Sequence, residues 1–189
     1  MRKIIGEMEN PLDHILLNIC DQTIEFFHYY NFTPNMITTL GNIARLISVY
    51  YVFEGYKLLF VLFYLLGYFF DCLDGSYARK YNMTSKFGDY YDHFSDIVFN
   101  IILVYYIFFA STLSDQDYYW IVVIIYTLLF ILLNVHLSCQ QVHKGKIGPS
   151  GETLDLLKPL CISPNMIYWT RYFGSGTFIS ATALLAYIF

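Results

Sequence analysis

Five of the chain's fifteen acidic residues fall between positions 71 and 96, in the segment DCLDGSYARKYNMTSKFGDYYDHFSD. Asp71, Asp74, Gly75 and Ala78 stand at i, i+3, i+4 and i+7, which is one stripe of a helix. Gly88, Asp92 and Asp96 follow at i, i+4 and i+8, again one stripe. Carboxylates brought together on facing helices repel one another unless a cation lies between them. An oxygen-only donor set suits a hard cation, so the spacing points to Mg²⁺ or Mn²⁺ rather than zinc, as one ion or two. Gly75, Ala78 and Gly88 strip side chains from the same faces, which suits close helix packing or approach of a ligand to the backbone. Arg79, one residue off the stripe, offers a rigid fork of donors fit for a phosphate. Asp89 leaves the stripe and reads as a solvated residue at a helix start. His93 and Cys72 read as packing side chains.

The elements that carry these residues are membrane helices. Of 189 residues, 57% are hydrophobic and 14% charged, whereas soluble domains carry about 25% charge. A spanning helix needs roughly 20 mostly apolar residues. Segments 97–114, 118–135 and 172–189 carry no charge at all. Segment 35–53 holds one, Arg45, which must face the bundle interior or a wet cavity. Segment 58–70 is too short alone and must run on through 71–77, taking Asp71 and Asp74 with it. The reading is an all-α polytopic bundle of about five transmembrane helices. Acidic helix ends joined by a short basic turn are expected to be antiparallel neighbours whose four carboxylates converge.

Residues 11–30 mix apolar and charged positions at helical spacing and read as an amphipathic helix lying at the interface. The expected organisation is therefore an N-terminal segment, 1–32, and a transmembrane domain, 33–189. The start MRKIIGEMENP has no apolar run of the kind a signal peptide needs. Arg2 and Lys3, the turn with Arg79, Lys80 and Lys86, and the 139–164 loop with Lys144, Lys146 and Lys158 fall on one side if five spans alternate. Basic loops stay inside, so that side is expected to be cytoplasmic. The net charge of -4 disfavours a nucleic-acid partner. The cysteines Cys20, Cys72, Cys139 and Cys161 form no C-x-x-C pair, and their scatter suggests neither a zinc site nor a disulfide framework.

Taken together, Asp71, Asp74, Gly75, Ala78 and Arg79, then residues 80–87, then Gly88, Asp92 and Asp96 resemble the CDP-alcohol phosphotransferase (CDP-alcohol phosphatidyltransferase) signature D-x-x-D-G-x-x-A-R…G-x-x-x-D-x-x-x-D at every specified position. TPNMIT at 33–38 is similar to the family's start of its first span. The resemblance implies transfer of a substituted phosphate from a CDP-linked donor to an alcohol hydroxyl, with release of CMP. It implies Asp71, Asp74, Asp92 and Asp96 as metal ligands, Asp96 also as general base, and Gly75, Ala78, Arg79 and Gly88 as shaping the CDP site. The family usually has six spans and is often dimeric, so a second copy of the chain is an expected partner beside the lipid bilayer. SKFGDYYD resembles the branch that uses CDP-diacylglycerol and a polar alcohol. The Asp92–His93 pair resembles the branch that uses CDP-choline or CDP-ethanolamine and diacylglycerol. A cation or proton transporter also uses intramembrane acids, but gives no reason for Gly75, Ala78 and Arg79 at their spacings.

Overall fold

A computed structural model describes residues 3–144 and 153–189; Arg2 and Lys146, used above for orientation, lie outside them. Every regular element among the described residues is helical. Helix α1 spans Pro11–Tyr29, α2 Pro34–Phe53, α3 Lys57–Lys80, α4 Lys86–Tyr105, α5 Tyr119–Lys144, α6 Ile167–Thr170 and α7 Ser175–Ile188. Their starts follow from local chemistry. Asn10 accepts from the amides of Leu12 and Asp13 to cap α1. Thr33 caps α2 through the Met36 amide, with Pro34 in the first turn where its missing N–H costs nothing. Ser85 caps α4 through the Gly88 amide.

Among the described residues, four helical stretches are long and apolar enough to cross a membrane: Pro34–Phe53, Lys57–Lys80, Lys86–Asp115 and Tyr119–Lys144. The third runs past α4 through a π-helical stretch, Tyr106–Ala110, and a 3₁₀ turn, Thr112–Asp115. The uncharged C-terminal segment forms a helix of 14 residues. At 1.5 Å per residue that is about 21 Å, short of a hydrocarbon core of about 30 Å. It still runs from the carboxylate level to the opposite end of the bundle, where Lys57 Nζ donates to the Ile188 carbonyl at 3.0 Å.

Helix α2 organises the bundle. Its backbone meets α3 at Gly41 and Gly67, where a Cβ on either glycine would lie 3.2–3.3 Å from the other's carbonyl oxygen. It also reaches α4, with Asn42 Nδ2 donating to Ser95 Oγ at 2.9 Å. By contrast α3 and α4, expected as close neighbours, barely approach one another and leave a cleft that α2 floors. The end of the bundle away from the carboxylates is filled by Val52, Phe60, Tyr64, Leu103, Ile107, Leu113, Tyr126 and Phe178.

Helix α1 lies along the C-terminal half of α3 and has three faces. Cys20 and Ile24 pack with Ile37, Leu73 and Tyr77. His14, Asn18, Asp21 and Glu25 are exposed on a polar face. Leu12, Ile15, Ile19 and Phe26 form an exposed apolar stripe. A helix between protein, water and acyl chains needs such a division.

Candidate active site

Helix α3 supplies Asp71, and α4 supplies Asp92 and Asp96 from its first half. Oxygens of these three carboxylates lie within 4.8 Å of one another across the cleft. Asp92 Oδ1 is buried and receives no hydrogen bond. A buried carboxylate oxygen without a donor is costly unless something else satisfies it. Three converging carboxylates with an orphaned oxygen fit a hard divalent cation. The side chains of Asp71 and Asp96 remain 21% and 36% exposed, so the centre is open to a ligand.

Asp74 does not join that group. It is buried, and its Oδ2 accepts a hydrogen bond from Thr38 Oγ1 at 2.5 Å. Arg45 faces the bundle interior, 6% exposed. Its Nη2 reaches Asp71 Oδ1 at 2.7 Å and its Nη1 reaches Asp96 Oδ1 at 2.6 Å. The remaining motif positions surround this centre. Arg79 folds back along α3, with Nη2 3.5 Å from Ser76 Oγ. A Cβ on Gly75 would lie 3.0 Å from Arg79 Nη1, so glycine there gives the guanidinium its room. Ala78 is half-buried on the same helix. A Cβ on Gly88 would lie 3.0 Å from Asn35 Oδ1. TPNMIT therefore meets the site twice, through Asn35 at Gly88 and Thr38 at Asp74. Thr38 and Asn35 could have been read as site residues only by treating that segment as more than a helix start.

Two further sequence expectations need correction. Asp89 is not a solvated helix-start residue. Its Oδ2 accepts from the Thr153 amide at 2.8 Å and from Thr153 Oγ1 at 2.5 Å, which docks a 3₁₀ segment, Thr153–Leu160, onto α4. The returning chain supplies donors that a lone helix end does not show. His93 packs in the same clasp, donating from Nδ1 to the Asp89 carbonyl at 2.7 Å and lying 3.2 Å from Thr153 Oγ1. The cysteines are not all free either: Cys139 on α5 is bonded to Cys161, with Cα atoms 5.0 Å apart. That bond and a hydrogen bond from Ser138 Oγ to the Lys158 carbonyl at 3.2 Å hold the far end of the segment on α5. Cys72 is free and packs beside Leu73, as expected.

The profile of the CDP-alcohol phosphatidyltransferase family matches residues 31–187. An uncharacterized protein of Aquifex aeolicus (strain VF5) is 31% identical over 74 residues, 39% of this chain and 38% of that protein. The archaetidylinositol phosphate synthase of Pyrococcus horikoshii is 29% identical over 92 residues, 49% of this chain and 45% of that protein. The chain thus spans less than half the length of either curated relative. No solved structure matches.

Proposed function

Because this chain belongs to the CDP-alcohol phosphatidyltransferase family, we propose that it is a membrane phosphotransferase of phospholipid synthesis. It would transfer a substituted phosphate from a CDP-linked donor to an alcohol hydroxyl and release CMP. The observation that carries the reading is the convergence of Asp71, Asp92 and Asp96, with its undonated Asp92 oxygen, inside the family's motif.

Asp71, Asp92 and Asp96 would hold Mg²⁺ or Mn²⁺, with Asp74, oriented by the Thr38 hydroxyl, completing the family's ligand set. The bound cation would neutralise the diphosphate and the charge that develops on the leaving CMP. The Asp96 carboxylate takes the proton of the acceptor hydroxyl as its oxygen attacks phosphorus. Arg79 presents its fork to the phosphates, and Gly75, Ala78 and Gly88 leave the facing helix surfaces open to the nucleotide. The division into an interfacial segment, 1–32, and a transmembrane domain, 33–189, fits the three-faced α1. The basic α3–α4 turn and the 153–160 segment lie at one end of the bundle, joined by Asp89 and Thr153; the positive-inside rule supports a cytoplasmic placement of that end and of the site. A homodimer is part of this reading by family likeness.

The donor is proposed to be CDP-diacylglycerol and the acceptor a polar alcohol. Similarity to a protein named for making archaetidylinositol phosphate favours that branch. The test is CMP release by the purified protein in Mg²⁺, with CDP-diacylglycerol and a panel of alcohols. Release that disappears in Asp96→Asn supports the proposal. Release only from CDP-choline or CDP-ethanolamine with diacylglycerol moves the chain to the other branch. Ion flux in liposomes with no nucleotide turnover overturns the enzymatic reading.

A further inference from the structure

We propose that Arg45 is the built-in counter-charge of the carboxylate cluster: it holds Asp71 and Asp96 in place when no divalent cation is bound, and it sets how tightly that cation binds. The inference rests on the metal reading above and adds a positioning residue from a third helix, outside the 71–96 motif.

Four observations carry it. The guanidinium bridges the cleft that α3 and α4 leave open, with one nitrogen on Asp71 and another on Asp96. The planar fork gives each carboxylate its own nitrogen, Nη2 for Asp71 and Nη1 for Asp96, where an ammonium would have to share one. Room for the arginine is built into α3, because a Cβ on Gly67 would lie 2.6 Å from Arg45 Cγ. The Phe99 ring of α4 faces the guanidinium carbon at 5.9 Å, closing the other side. A buried arginine without partners is costly, and so are clustered carboxylates without a cation, so each solves the other's problem. Asp92 stays outside the arrangement: Arg45 contacts the two carboxylates that flank it and leaves its buried Oδ1 bare.

A divalent ion entering this centre meets a fixed positive charge a few ångströms away. The arginine therefore weakens ion binding while keeping the empty site assembled. A purely structural arginine would change stability and leave ion affinity alone.

The experiment uses the full chain in lipid nanodiscs and measures Mn²⁺ binding by electron paramagnetic resonance, beside melting temperature with and without Mn²⁺. Arg45→Gln is expected to melt lower than wild type without the ion and to bind Mn²⁺ at least fivefold more tightly. Arg45→Lys, which keeps the charge, is expected to bind Mn²⁺ within threefold of wild type. Wild type that binds Mn²⁺ while Arg45→Gln gains less than fivefold, or loses affinity, overturns this inference and leaves the metal reading standing. Wild type that binds no Mn²⁺ removes both. Should Arg45→Gln fail to fold, Arg45→Lys carries the test. The lysine chain is shorter and must meet both carboxylates from one nitrogen instead of two, so its melting temperature falls without Mn²⁺ and recovers to the wild-type value with it; absence of that recovery overturns the inference.

Discussion

The two ends of the bundle solve different problems. At the end away from the carboxylates, Phe60, Leu103, Ile107, Tyr126 and Phe178 fill space among α3, α4, α5 and α7. There what matters is volume and shape, and apolar residues of similar size can stand in for one another. At the carboxylate end, Arg45, Asp71, Asp92 and Asp96 lie across a cleft, and what matters is which atom faces which. The fold supports the second end with the first: the packed half fixes the helices, so charges in the open half need no dense packing of their own. Stability and activity should therefore separate along the length of the helices.

The largest separation is expected from Asp96→Asn. It keeps the shape of the side chain and removes its charge, so CMP release should fall by roughly a thousandfold, in line with the loss of the proposed general base and ligand. Its melting temperature should change less than that of a core variant. Phe60→Ala is the converse. A fully buried phenylalanine truncated in a packed core costs about 3 kcal/mol, read as a lower melting temperature, while turnover per folded molecule stays near wild type. Equal loss of turnover in both variants would erase the distinction between the two ends.

A smaller effect sits on the seam between them and the interfacial helix. Burial pushes the Asp13 carboxyl up to about 6, against the lowering influence of hydrogen bonds from the Tyr68 hydroxyl and the Gly176 amide. Its unfolded value is near 3.8. The folded protein thus binds this proton more tightly, and the stability it contributes is full below about pH 4 and lost as pH rises through about 6. A shift of about two units corresponds to roughly 3 kcal/mol at most. Thermal melts should show Asp13→Asn flattening the fall in melting temperature between about pH 4 and 6; an unchanged profile would place the titration elsewhere. The smallest effect is expected from Thr38→Val, which removes the hydroxyl donor to Asp74. CMP release should drop by about tenfold, in keeping with about 1.5 kcal/mol, the low end for one hydrogen bond to a charged group.

The carboxylate stripes were legible because helical period is written in spacing: Asp71 on α3 and Asp92 and Asp96 on α4 fall on faces that meet. Arg45 was legible as an interior residue, since a lone charge in an apolar span has nowhere else to go. Its two partners were not, because register between helices depends on the Gly41–Gly67 contact, which no local pattern announces. Asp74 shows the same limit: its stripe matches that of Asp71, yet the Thr38 hydroxyl draws it out of the cluster. Asp89 and the Cys139–Cys161 bond escaped the sequence reading because both depend on a chain that returns from α5 to the start of α4. The uncharged C-terminal segment was recognisable as apolar, but Gly174 and the short helices before it leave α7 with 14 residues.

Whether α3 and α4 present their acids to one shared cation can be seen in anomalous diffraction from crystals of the full chain soaked in Mn²⁺. The expected result is a peak bonded to carboxylate oxygens of Asp71, Asp92 and Asp96, at about 2.1–2.3 Å, that vanishes in Asp92→Asn. A peak elsewhere in the molecule, or none at saturating Mn²⁺, would contradict it.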